Sequence, residues 1–140
     1  MQLPIKAHYA ALAMLCLADV HARGGRLGTK QIAQQHEIPV QFLAQILQQL
    51  RAAGLIHSVR GAQGGFMLAR PPQQITLAEI VDAICATPNE TARRGPAEGL
   101  SVALHDVWQQ LEDAQRQVLE SYTLARLLEQ ATSSPTMFYI

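Results

Sequence analysis

The sequence predicts a mainly α-helical fold: a winged helix-turn-helix with a two-stranded wing and a long C-terminal dimerisation helix. Three observations predict it. Two short segments of helical apolar spacing lie a few residues apart between Thr29 and Ala53. A glycine-rich hairpin pattern follows at once, from Leu55 to Leu68. A stripe of apolar residues at alternating spacings of three and four then runs through Leu100 to Gln130.

Each element has its own warrant. Ile5, Tyr9, Leu12, Cys16 and Val20 recur every three to four positions after Pro4 and predict a first amphipathic helix, which Gly24 and Gly25 end. Thr29 is placed to cap a short second helix from Lys30 to His36, with Ile32 and Ala33 facing inward. Pro39 suits the first turn of a third helix, whose buried stripe is Leu43, Ile46, Leu47 and Leu50 and whose stop is Gly54. The run Leu55-Ile56-His57-Ser58-Val59 reads as a strand. Arg60-Gly61-Ala62-Gln63-Gly64-Gly65 is a tip, and a return strand follows through Phe66 and Leu68. Thr76-Leu77-Ala78-Glu79 is a capping-box pattern that opens a fourth helix, with Leu77, Ile80, Val81 and Ile84 buried. The polar stretch from Pro88 to Gly99 is a loop. In the last helix the stripe is Leu104, Val107, Leu111, Ala114, Val118, Tyr122 and Ala125, with Trp108 beside it. A lone helix would leave that stripe wet, and a second copy of the chain would cover it. The expected organisation is residues 1–86 as the DNA-binding unit, 87–99 as a loop, 100–131 as the dimerisation helix and 132–140 as a tail.

Composition narrows the function classes. Of 140 residues, 49% are apolar and 16% charged, enough apolar material for a core and too little charge for a disordered chain. The longest apolar run, Tyr9 to Ala18, is too short to cross a bilayer, so a cytoplasmic protein is expected. Cys16 and Cys85 make no disulfide framework, and no C-x-x-C or HExxH spacing occurs. No nucleophile–base pair or paired carboxylate points to an enzyme. Glu112-Asp113 is most simply a solvated acidic face.

Net charge is zero, but it is unevenly spread. Residues 1–78 carry a net +5 and residues 79–140 a net −5, and no acid lies between Ile38 and Ala78. A basic half of this kind faces a polyanion. In a helix-turn-helix the third helix enters the major groove. Its outward positions are Gln41, Ala44, Gln45, Gln48 and Gln49. Glutamine pairs with adenine edges, and a small alanine permits close approach. Arg60 is placed to reach a minor groove, and Gly61 and Gly64 let backbone approach phosphate. Lys6, Tyr9, Arg26, Lys30 and Arg51 complete the expected DNA contacts, which position the unit without reading bases. Leu104, Trp108, Leu111, Val118 and Tyr122 are the expected dimer contacts.

These residues resemble a known family. The segments K-A-H-Y-A (Lys6–Ala10), I-P-V-Q-F-L (Ile38–Leu43), L-R-A-A-G-L-I-H-S-V-R-G-A-Q-G-G-F-M-L-A-R (Leu50–Arg70) and I-T-L-A-E-I-V-D-A-I (Ile75–Ile84), with Trp108, are similar to the Rrf2-type winged-helix regulators. The resemblance covers nearly the whole chain. It implies a homodimer with crossed long helices and double-stranded DNA as partner, with repression the family's usual sense of control. Many members hold an iron–sulfur cluster through three loop cysteines. The stretch from Ala86 to Leu104 has none, and Val102 stands where the last would be. His105 and His8 fall where branches of the family place a further ligand, but two histidines without thiolates make a poor cage. No cofactor or metal is therefore expected. Cys16 reads as a core residue. Cys85 reads as a small buried hydrophobe, or else as an exposed redox-sensitive thiol.

The ending Met137-Phe138-Tyr139-Ile140 looks like that of the cluster-free, CymR-like branch, which represses cysteine-metabolism genes together with cysteine synthase (O-acetylserine sulfhydrylase). The resemblance implies that these four residues bind the synthase, with the Ile140 carboxylate standing in for that of an amino-acid substrate. The alternative for the tail is packing back onto the dimer. The alternative for the whole chain is a regulator of the same fold that responds directly to redox, a metal centre or a small molecule.

Overall fold

The computed structural model describes residues 3–61, 64–85 and 99–133. The chain runs α1 (Ile5–His21), α2 (Thr29–His36), α3 (Val40–Ala52), β1 (Ile56–Val59), β2 (Gly65–Leu68), a 3-10 turn (Pro72–Gln74), α4 (Leu77–Ile84), α5 (Gly99–Ser121) and α6 (Leu124–Ser133). Among the described residues, no helix is long and apolar enough to cross a membrane.

One core holds the first four helices, the hairpin and the start of α6. Its fully buried side chains include Met14, Leu17, Ile32, Leu43, Ile46, Leu47, Leu50, Ile56, Ile75, Ile80 and Leu124. The third helix buries Leu43, Ile46, Leu47 and Leu50, as its spacing predicts. The first helix is rotated from its expected stripe. Ile5 is exposed, Tyr9, Leu12 and Val20 are half-buried, and Ala10, Ala13, Met14 and Leu17 form the packed face. Alanines on that face let α1 approach its neighbours closely, a pattern that counting only large apolar residues overlooks. In α4, Ile80 and Ile84 are buried, while Leu77 and Val81 are half-buried.

Two boundaries differ from expectation. Thr29 is the first residue of α2, not its cap. The Gly28 N–H instead donates to Gln31 Oε1 at 2.8 Å. The predicted long helix over 100–131 is interrupted. The chain leaves α5 at Ser121, and Tyr122 and Thr123 cross to the start of α4. Leu77 N donates to Tyr122 O at 2.9 Å, and Leu124 N donates to Ile75 O at 3.0 Å. Thr123 Oγ1 then accepts from Arg126 N at 3.1 Å and opens α6 as an N-cap. This crossing turns α6 back onto α1 and buries Leu124. By contrast, Thr76 caps α4 as expected, its Oγ1 accepting from Glu79 N at 3.3 Å.

The hairpin is antiparallel, pairing Ile56 with Leu68, His57 with Met67, Ser58 with Phe66 and Val59 with Gly65. Its outer strand is tied to the helical unit. Phe66 N donates to Leu27 O at 2.8 Å, and Leu27 N donates to Phe66 O at 3.2 Å. Gly65 makes this approach possible, because a Cβ there would stand 2.7 Å from the Leu27 carbonyl oxygen. The expected tail, 132–140, lies outside the described residues beyond Ser133, as do residue 86, 87–98 of the expected loop and the wing-tip residues 62 and 63.

Candidate nucleic-acid interface

The core stripe of α3 fixes what the opposite face presents. With Leu43, Ile46, Leu47 and Leu50 turned inward, Gln41, Ala44, Gln45 and Gln48 are exposed together on the outer side. Gln49 is different: it is half-buried, and its Oε1 is buried without a hydrogen-bond partner. Tyr9 lies behind the helix, edge-on to the Phe42 ring at 5.8 Å, so it supports α3.

Val40 is a residue that the sequence reading missed. It is the first helical residue of α3 and is 46% exposed, a large apolar side chain at the end of the helix that would enter a groove first. Its position directly after Pro39 was the available signal. An apolar side chain there suits a thymine methyl group.

Arg26, Lys30, Arg51, Arg60 and the glycines Gly61 and Gly64 are all exposed. None of the four basic side chains is held in an ion pair within the described residues. Gly61 has φ +120°, which an L side chain rarely adopts, and lets the chain turn directly after Arg60. The salt bridge Arg70–Glu79 joins the end of the hairpin to α4 and so holds the wing's base. Lys6 is half-buried, and its positive charge acts on the Cys85 thiol.

The second surface is the apolar face of α5, a helix with no buried residue. Leu104, Trp108, Leu111 and Val118 are 44–58% exposed. Leu100 and Val107 extend the same face. Tyr122 departs from it: it lies in the crossing segment with the Arg126 guanidinium 4.4 Å above its ring. Arg116 fastens the far end of α5 to the core, donating to Asp82 Oδ1 of α4 at 2.6 Å.

The two thiols are far from interchangeable. Cys16 is buried in α1 and lies 3.1 Å from His36 Nε2. Burial, reinforced by Asp19, pushes its thiol up to about 11. Cys85 ends α4 half-buried. Burial raises its thiol, the charge of Lys6 opposes that shift, and Asp82 adds to it. Neither cysteine is in a disulfide.

Comparison with known proteins gives one consistent picture. Residues 3–130 match the family model Rrf2, described as "Iron-dependent Transcriptional regulator". The chain is 32% identical to the HTH-type transcriptional regulator CymR of Bacillus subtilis over 148 aligned positions, covering all of both chains. Among solved structures, T. potens IscR superposes with a TM-score of 0.81 at 31% identity, covering 96% of this chain and 91% of that one. An oxidised form of Staphylococcus aureus CymR superposes with a TM-score of 0.75 at 32% identity, covering 92% and 97%.

The family description raises the question of iron. A cluster cage is built largely from cysteine thiolates brought together at one place. This chain has two cysteines in all. Cys16 is packed into the core against His36, and Cys85 sits at the end of another helix. His105 and His8 are exposed on α5 and α1. Among the described residues, no three His, Cys, Asp or Glu side chains converge as a metal site. The donor set does not fit such a cluster.

Proposed function

The chain belongs to the Rrf2 family of DNA-binding transcriptional regulators, and we propose that it acts in the cytoplasm as a homodimer that represses its target genes. The observation that carries this reading is the apolar face of α5, exposed along its length on a chain whose DNA-facing helix is already packed. Isolated soluble chains rarely leave such a stripe in water. A second copy laid across it buries both stripes at once and sets two α3 helices side by side, ready for a two-fold symmetric site. Gln41, Gln45 and Gln48 read bases together with Val40 and Ala44. Arg60 and the wing glycines engage the neighbouring minor groove, and Arg26, Lys30 and Arg51 hold phosphates. Sedimentation equilibrium tests the dimer. The native chain is expected at twice its monomer mass, and a Leu104→Glu/Leu111→Glu variant at the monomer mass with much weaker DNA binding. A native chain that sediments as a monomer at micromolar concentration contradicts the reading.

The finer proposal concerns the signal. We infer control of cysteine or sulfur metabolism genes, with cysteine synthase as the partner of Met137, Phe138, Tyr139 and Ile140. Its support is the tail sequence, the missing loop cysteines and the full-length likeness to CymR. Titration into cysteine synthase, followed by the enzyme's pyridoxal phosphate fluorescence, tests it. Saturable binding that requires Ile140 and is reversed by O-acetylserine is the expected result. No binding by the full chain would move the signal to a direct effector, the second reading.

A further inference from the structure

A cavity of about 330 Å³ lies between α1, α2 and α6, away from both the outer face of α3 and the exposed stripe of α5. It exists because the crossing at Tyr122 and Thr123 turns α6 back over α1. Its size is at the lower end of small-molecule sites. Leu12 and Leu15 of α1 and Leu127, Leu128 and Ala131 of α6 supply apolar walls.

The polar lining of the cavity is Cys16, Asp19, Gln35, His36 and Thr132. Asp19 brings its one carboxylate, and no lysine or arginine lines the space. Cys16 Sγ donates its proton to Gln35 Oε1 at 3.5 Å, and His36 Nε2 lies 3.1 Å from the same sulfur. The Thr132 hydroxyl proton is engaged within α6, by Leu128 O and Glu129 O, each 3.1 Å away, so toward the cavity its oxygen accepts. A carboxylate or phosphate ligand would meet Asp19 and find no lysine or arginine. An ammonium group, with three donors and a positive charge, matches what is there.

We propose that this cavity binds a small organic ammonium ion, an amine head on an apolar body, with the head beside Asp19 and the body against the leucines of α1 and α6. The ligand would touch α2, the first helix of the helix-turn-helix, and α6, which follows α5 after the crossing, at the same time. Binding is measured without DNA, so it stands or falls independently of the DNA-binding reading.

The test uses the full chain and three six-carbon probes: hexylamine, 1-hexanol and hexanoate. Methyl NMR should show hexylamine shifting the signals of Leu12, Leu127 and Leu128 saturably, with about tenfold preference over hexanoate. Asp19→Asn, at an exposed position, should remove that preference and leave hexanol binding unchanged. Ala131→Trp should fill the space and abolish binding of both. Absence of saturable shifts with hexylamine overturns the proposal. So does hexanoate binding as tightly as hexylamine, unchanged preference in Asp19→Asn, or the same leucine shifts in a folded Ala131→Trp.

Discussion

In the proposed reading, Arg60 and Gln45 divide the work of DNA recognition. Arg60 is exposed at the mouth of the wing, unpaired within the described residues, and followed by a glycine in a conformation that turns the chain. Arg60→Ala should weaken operator binding and relax the preference at an A·T-rich position by about 1–3 kcal/mol, measured by fluorescence anisotropy on matched duplexes. Equal affinity and preference would remove the arginine from the interface. Gln45 points outward from α3, so Gln45→Ala should change base preference at one position of each half-site. A uniform loss on all sequences would make it a phosphate contact instead. Cys16 gives a prediction of another kind. Burial, then Asp19, raises its thiol from 9.0 to about 11. The folded chain therefore holds this proton more tightly than the unfolded chain. That contribution is intact below pH 9 and fades as pH climbs towards about 11. Thermal midpoints taken over this range should fall more steeply for the native chain than for Cys16→Ala, and parallel curves would contradict the assignment.

Among the elements, the wing and the α5–α6 crossing carry the sharpest consequences. Gly65 lies against Leu27, and a methyl group there has no room beside a backbone oxygen. Gly65→Ala should cost about 1–3 kcal/mol of stability in a denaturant titration and loosen the wing. A change under a few tenths would mean that the Leu27–Phe66 pairing adapts freely. Thr123→Ala removes the cap of α6 and should cost about 1 kcal/mol. These two elements also mark what the sequence could disclose. Third-helix burial, hairpin position and the Thr76 cap were legible, because period, glycine and capping chemistry are local signals. The break at Tyr122 was not, since the apolar period continues unbroken through Ala125 and only the pairing with Ile75 and Leu77, far away in the chain, stops the helix. Thr123, a good capping residue inside an otherwise helical run, was the one local hint. Likewise, the outward glutamines followed from the core stripe of α3, whereas Val40 was passed over because exposure of an apolar residue shows only once the helix is placed.

At the scale of the molecule, the parts suit half of the proposed symmetric reader. A compact helical unit presents glutamines, cations and a glycine wing on one side, and an apolar helix leaves it with its stripe exposed among the described residues. In the proposed dimer two such halves, joined through α5, would hold two α3 helices at a fixed separation, and that separation should be written into the DNA they choose. The most direct test is selection of duplexes from a random pool by the purified full chain, followed by sequencing. The account predicts an enriched site with two-fold symmetry, two half-sites about one helical turn apart and A·T-rich positions where the wings reach. Enrichment of a single half-site without a symmetric mate, or no enrichment above bulk DNA, would contradict it.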